Sequence, residues 1–261
     1  MNKVEFIHGL NAPRGQFIDN ISVNIRRNLP RLTTKRALVV GGGPSAGDHV
    51  DDIKAHQAKG WQVTAINGAH DWLMGRGITP DACVLMDSTE TVSTFIKFPL
   101  DECRYYVASQ CHPAMFDKLD GYDVCMWHAH LDDASNKYIE EHDAEGTILA
   151  GANTAGLHAI AINYMLGVRK MRVYGLDSSH RPSGDHAYDN SQQKPVDEIE
   201  FFFKGDRFLS TGTWAAQAEM FARFWRQYFK LGMQIEVIGD GLLPAMARHE
   251  KETLMAELKG S

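Results

Sequence analysis

No stretch of this sequence approaches the roughly 18 consecutive apolar residues that a membrane-crossing helix requires, so a spanning segment is not expected. The opening residues (MNKVEFIHGLNAPRGQ) show no charged-then-apolar leader, which argues against secretion. Cysteine is sparse. Cys83, Cys103, Cys111 and Cys125 are the four present, with no CxxC spacing among them. They sit in or beside apolar runs, so they read as reduced core thiols of a cytoplasmic protein, not as a disulfide frame or a zinc site. Positive charge does not dominate either: Lys and Arg number 27 against 33 Asp and Glu, leaving a formal charge of −6. Such a chain is poorly suited to gripping nucleic acid or an anionic membrane. Repeats and low-complexity segments are absent too. What is there, 261 residues of which 44% are hydrophobic and 23% charged, suits a soluble globular protein with a sizeable core. The oligomeric state stays open.

Residues 1–35 are locally basic, with Lys3, Arg14, Arg26, Arg27, Arg31 and Lys35 against Glu5 and Asp19. Phe17, Ile18, Ile21, Ile25 and Leu29 recur at helical spacing until Pro30, which predicts an amphipathic helical segment. From residue 36 short apolar runs alternate with helical patterns. Strands are expected at 36–40, 61–66, 80–86, 105–109, 123–127, 171–174 and 235–238. Helices are expected between 45 and 60, at 68–76, at 154–166 and at 214–231. This alternation predicts an α/β, Rossmann-like fold, a mostly parallel sheet with helices on both faces. The expected division is a Rossmann-like domain over 36–242, with a long loop at 178–212, and a C-terminal helical tail over 243–261.

Ligands of such sheets bind beyond the carboxyl ends of the strands, so the residues there carry the candidate chemistry. Gly41, Gly42, Gly43, Pro44 and Ser45 follow the first strand. Glycines permit close backbone approach, and the helix that follows adds partial positive charge, so the turn can cradle a phosphate. It matches neither GxxxxGK[ST] nor GxGxxG, and an ordinary tight turn would use the same residues. Asn67 ends the second strand. Asp87 and Asp177 end two others and can hold Mg²⁺ or a ribose hydroxyl, although Asp87, followed by Ser88, Thr89 and Glu90, also resembles a helix cap. Asn153 and Thr154 open a helix, either as plain caps or as contacts to a base or sugar. The loop after Asp177 brings His180, Arg181 and His186, a general base and a phosphate clamp in one polar stretch. A metal reading of that loop is weak, because the His-x5-His spacing is no recognised ligand signature. His128 and His130 follow another strand as lesser pocket candidates. Cys111 and His112, being adjacent on an extended chain, point to opposite faces and make a poor nucleophile–base couple.

Four ordered blocks carry a family resemblance: residues 39–45 (VVGGGPS), 77–87 (from GITPD to LMD), 151–168 (from GANTAG to LGV) and 173–188 (from VYGLD to HAY). Together they resemble the MptE-like family, which includes archaeal hydroxymethylpterin pyrophosphokinases and flagellin-modifying motility accessory factors. A looser similarity is to bacterial sialyltransferases that use a cytidine-monophosphate sugar. The resemblance implies a nucleotide in the cleft, with phosphates near residues 41–45 and metal or sugar near Asp87 and Asp177. The looser sialyltransferase similarity implies a downstream histidine as base, matched by His186 or His180. Ala46 departs from the Leu that commonly follows the family's Gly-Pro-Ser.

These readings converge on a nucleotide-dependent transferase that uses ATP or a nucleotide sugar. Glycosyl transfer is favoured, with His186 as base and Arg181 balancing the leaving phosphate, because the histidine-bearing loop has no task in kinase chemistry. The alternatives are a Mg-ATP-dependent pyrophosphokinase and a non-catalytic nucleotide- or sugar-phosphate-binding protein. A dinucleotide oxidoreductase is disfavoured by the missing GxGxxG and by Asn67 where an acidic residue would close the second strand.

Overall fold

A computed structural model describes residues 36–130, 133–143, 145–146, 148–149, 154–182, 184, 186–188 and 198–260. The basic segment 1–35 and Asn153 therefore lie outside the described residues. All described residues belong to the unit Thr34–Ser261.

Strand β1 (Arg36–Val40) leads through a 3₁₀ turn (Pro44–His49) into α1 (Val50–Gln57), then β2 (Gln62–Ile66), α2 (Ala69–Met74) and β3 (Ala82–Leu85). After a second 3₁₀ turn come β4 (Arg104–Ala108), α3 (Pro113–Lys118), β5 (Val124–Ala129), α4 (Asp133–His142), the two-residue β6 (Ile148–Leu149) and α5 (Ala155–Met165). The chain closes with β7 (Lys170–Tyr174), β8 (Ile199–Phe203), β9 (Asp206–Ser210), α6 (Gly212–Lys230), β10 (Gln234–Ile238) and α7 (Leu242–Gly260).

Eight strands form one parallel sheet in the order β10-β7-β1-β2-β3-β4-β5-β6. In β1, Ala37, Leu38, Val39 and Val40 are fully buried, and β3 is buried along its whole length. Strands apolar at successive positions must be covered on both faces, which only flanking helices can provide. The edge strand β10 alternates instead, with Ile235 and Val237 buried and Gln234 and Glu236 exposed, because one of its faces meets solvent. Helix α5 packs across β1, β2 and β3. It is apolar nearly all round and almost wholly buried, as such a helix must be.

The chain lays β1 to β6 outward in one direction and then returns to place β7 on the other side of β1. Between β1 and β7 the connections leave in opposite directions, and a crevice opens at their carboxyl ends. The register aligns those ends, with Val40 opposite both Ala65 and Tyr174. This crevice holds the site.

Two segments differ from expectation. The 178–212 loop contains an antiparallel hairpin, β8–β9, whose Phe201, Phe203 and Phe208 pack against the core. Its turn, Lys204 and Gly205, has positive φ at both residues (53° and 92°), the geometry a two-residue hairpin needs. Lys in that position hides the signal that Asn-Gly would give. The segment expected as a helical tail is α7, whose Leu242, Leu243, Ala247 and Leu254 are buried. It is part of the body.

Candidate functional site

The cleft at the switch point is lined by Gly41, Gly42 and Gly43 after β1, by Asn67 after β2, and by residues 175–179 after β7. Thr154, Ala155 and Gly156 reach it from the head of α5, Trp214 and Gln217 from α6, and His186 and Tyr188 from the segment beyond β7. The crevice rule therefore gathers one edge of the sheet into a single concave surface.

The glycine turn is not the open nest of amides that its sequence suggests. Gly41 donates its N–H to Tyr174 O (2.8 Å), Gly43 to Gly175 O (2.8 Å), and Ala46 to Gly43 O (3.1 Å). The Ser45 amide donates to Asp177 Oδ2 (2.8 Å) and the Ser45 hydroxyl to Asp177 Oδ1 (2.6 Å). Neither Pro44 nor Ser45 lines the cleft. The glycines answer a different need, close approach. A Cβ on Gly41 would stand 2.5 Å from Gly175 O, and one on Gly42 would overlap the Tyr188 phenol. Tyr188 thus sits where a phosphate was expected. Its segment is pinned by Ala187 N–H to Gly42 O (2.9 Å) and by Trp72 Nε1–H to Ala187 O (3.0 Å).

Asp177 is buried at the cleft wall, with both carboxylate oxygens on Ser45, so it caps the 3₁₀ turn. Gly239 and Gly241 roof the pair, since side chains there would run into Ser45 Oγ (2.5 Å) and Asp177 O (2.5 Å). Burial raises the Asp177 pKa, and the Ser45 bonds offset part of that rise. Asp87 does not join it. Its Oδ1 accepts from the Thr89 amide and hydroxyl (2.8 Å each), which is the capping role. β3 also lies three strand steps from β7, about 14 Å at the usual strand spacing. The two aspartates do not fit a shared Mg²⁺.

Arg181 forms ion pairs with Asp48 (2.7 Å) and Asp240 (2.7 Å) and is not among the residues lining the cleft. His180 also stays out of the cleft: its ring lies 4.8 Å from Trp214 and its Nδ1 3.3 Å from Glu198. His186 does line the cleft, its ring 5.4 Å from Tyr188 and 5.9 Å from Trp214.

Polar capacity lies elsewhere in the cleft. Ala155 and Gly156 open α5, where first-turn amides have no acceptor within the helix. Thr154 caps that helix through Leu157 N–H (3.4 Å) and accepts from Gln217 Nε2 (2.7 Å). Gln217 in turn accepts from the Ser178 hydroxyl (2.9 Å). Asn67 and Ser178 are held in left-handed backbone conformations (φ 48° and 51°), a strain that clusters at ligand sites. The Asn67 side-chain oxygen is buried without a hydrogen-bond partner. Sequence reasoning missed Gln217, Trp214 and Tyr188 as site residues. Gln217 looks like any polar helix position, and only the docking of α6 on the cleft distinguishes it. Cys111 and His112 are likewise structural: the Asp87 amide donates to Cys111 Sγ (3.4 Å), and His112 Nδ1 caps α3 through Ala114 N–H (3.2 Å).

Among known proteins, a family model described as 6-hydroxymethylpterin diphosphokinase MptE-like matches residues 15–182, more than half of the chain. No curated protein matches it. Among solved structures, a MAf glycosyltransferase from Magnetospirillum magneticum AMB-1 superposes with a TM-score of 0.60 at 16% identity. That match covers 85% of this chain but only 37% of the glycosyltransferase, and it shows a shared fold. A mammalian sialyltransferase solved with Gal-beta-1-3GalNAc-ortho-nitrophenol gives a TM-score of 0.39 at 10% identity, covering 87% of this chain and 86% of that one.

Proposed function

This chain belongs to the MptE-like family, and from that membership we propose that it is a transferase moving a glycosyl group from a nucleotide-activated sugar held in the β1–β2–β7 cleft. The reading rests on one observation. The cleft offers an unpartnered Asn67 oxygen, the first-turn amides of α5 and a histidine, while none of the described residues lining it is Lys or Arg. A triphosphate needs cations or a carboxylate-held metal to offset its charge. A single phosphate is well served by a helix N-terminus.

In this scheme the phosphate faces Ala155 and Gly156, and Asn67 accepts from a sugar or base N–H or O–H. The bond between the anomeric carbon and the phosphate oxygen breaks as the acceptor hydroxyl forms a new C–O bond. His186 takes the hydroxyl proton. The acceptor's chemistry is set by what fits beside His186, Tyr188 and Trp214, two of them aromatic faces on which a sugar ring stacks.

Thermal-shift titration with nucleotide sugars, nucleoside monophosphates and ATP, each with Mg²⁺ and with chelator, tests this. Stabilisation by monophosphate-linked sugars in chelator is expected, about 2.7 kcal/mol at a hundredfold excess over Kd. His186→Gln should retain that shift while transfer falls by about 10²- to 10⁴-fold. Stabilisation by ATP only with Mg²⁺ would instead support the diphosphokinase chemistry of the family's name. Binding with no turnover in the wild-type chain would support a carrier.

A further inference from the structure

We propose that Ser109, His128 and Asp143 form a serine-nucleophile relay, outside the cleft, that cleaves small carboxylic esters. His128 Nδ1 lies 2.8 Å from Ser109 Oγ, and His128 Nε2 lies 3.0 Å from Asp143 Oδ2. A carboxylate only accepts, so Nε2 carries the hydrogen of the neutral ring and Nδ1 presents a bare lone pair. The Ser109 hydroxyl therefore donates, and its proton already points at the base. That is the arrangement of an activated serine, with the carboxylate fixing tautomer and ring orientation.

The fold builds the relay from register. Ala108 pairs Trp127 between β4 and β5, so the next pair along is Ser109 and His128, side by side at the carboxyl edge of the sheet. Asp143 follows α4, where its carbonyl accepts the Gly146 N–H (3.0 Å) in a tight turn. Gly146 in that turn lies against the His128–Asp143 hydrogen bond. A Cβ on Gly146 would stand 2.5 Å from His128 Nε2 and 2.8 Å from Asp143 Oδ2, so only glycine allows the chain to pass this close to the bond, whose histidine side is buried while Asp143 stays 42% exposed. The His128 side chain is 6% exposed, whereas Ser109 remains partly exposed. A protected base beside a reachable hydroxyl is what a nucleophile requires. Gln110, next in the chain, keeps a buried side-chain oxygen without a partner, an acceptor that a bound N–H or O–H would satisfy.

The step balances with water as the sole co-reactant. Ser109 Oγ bonds to the ester's carbonyl carbon while its proton passes to His128 Nδ1. The bond from that carbon to the alcohol oxygen breaks, and the alcohol leaves with the proton. Water, deprotonated by the same nitrogen, then releases the carboxylic acid and restores Ser109.

The test is to treat the full chain with a fluorophosphonate and map the adduct by peptide mass spectrometry, alongside p-nitrophenyl acetate hydrolysis. One adduct on Ser109 is expected. Hydrolysis should be lost in Ser109→Ala and slowed about 100-fold in His128→Gln. Asp143→Asn should slow labelling as well as turnover, and Asp143→Glu should restore part of both. An unlabelled wild-type chain, or an adduct elsewhere, overturns the proposal, and so does an unchanged labelling rate in folded Asp143→Asn. Mapping on the wild-type chain decides even where a variant fails to fold. The cleft reading rests on nucleotide binding and is unaffected by either result.

Discussion

Replacing Asp177 by Ala separates a structural carboxylate from a reacting one. Two donors lose their acceptor: the Ser45 amide at 2.8 Å and the Ser45 hydroxyl at 2.6 Å, both in the buried floor beneath Gly239 and Gly241. A hydrogen bond to a charged group contributes about 1.5–3 kcal/mol, so the pair is worth about 3–6 kcal/mol gross. Removing a buried carboxylate also removes its desolvation cost, leaving a net loss of about 3 kcal/mol. For a unit of this size that is about 6–12 °C in Tm, read by circular dichroism, with urea unfolding as a check. The sign with pH is also set. Burial raises the folded-state pKa above 3.8, so the group's stabilising contribution is full below pH 3.8 and is lost as pH rises through the folded value. Wild type minus Asp177→Asn should therefore decline over that window and level off above it. A folded Asp177→Ala chain of wild-type stability that has lost Mg²⁺-dependent nucleotide binding would refute the capping assignment and make Asp177 a ligand.

Other substitutions probe the neighbouring packing. Gly42→Ala pushes a methyl into the Tyr188 ring, whose Cε1 would be 2.7 Å away, and should cost about 1–3 kcal/mol in urea unfolding. Adding Tyr188→Ala should recover most of that loss, a non-additivity that two independent sites would not show. Trp72→Phe keeps the ring stack under Arg76 but removes the bond to Ala187 O. It should cost about 1 kcal/mol and raise the proteolysis rate near residue 188. In the ester assay, Gly146→Ala should reduce Ser109 labelling, because the methyl displaces the turn that lies against His128 and Asp143.

Much of the fold is legible in the chain. The main-sheet strands other than β6 were expected within a residue or two, because runs such as Ala37, Leu38, Val39 and Val40 leave no alternative to a sheet covered on both faces. The hairpin was not legible, since its turn uses Lys204 at positive φ where the strong signal is Asn or Asp. The site was legible as a place and misread in its parts. Strand-end position located Gly41, Asn67 and Asp177 on one edge, but spacing cannot tell whether an amide faces solvent or a neighbouring carboxylate. That depended on the partnership of Ser45 with Asp177, 132 positions apart. The ion pairs of Arg181 were hidden for the same reason: its partners, Asp48 and Asp240, lie far from it in the chain. The relay of Ser109 and His128 followed from β4–β5 register, which no local pattern reveals.

The Tyr188 ring resting on Gly42 means that the protein carries its own competitor. Whatever enters above those glycines must first turn the phenol out, so measured affinity equals intrinsic affinity scaled by the fraction of molecules already vacated. A ligand entering there would bind more tightly to a chain with a smaller side chain at 188.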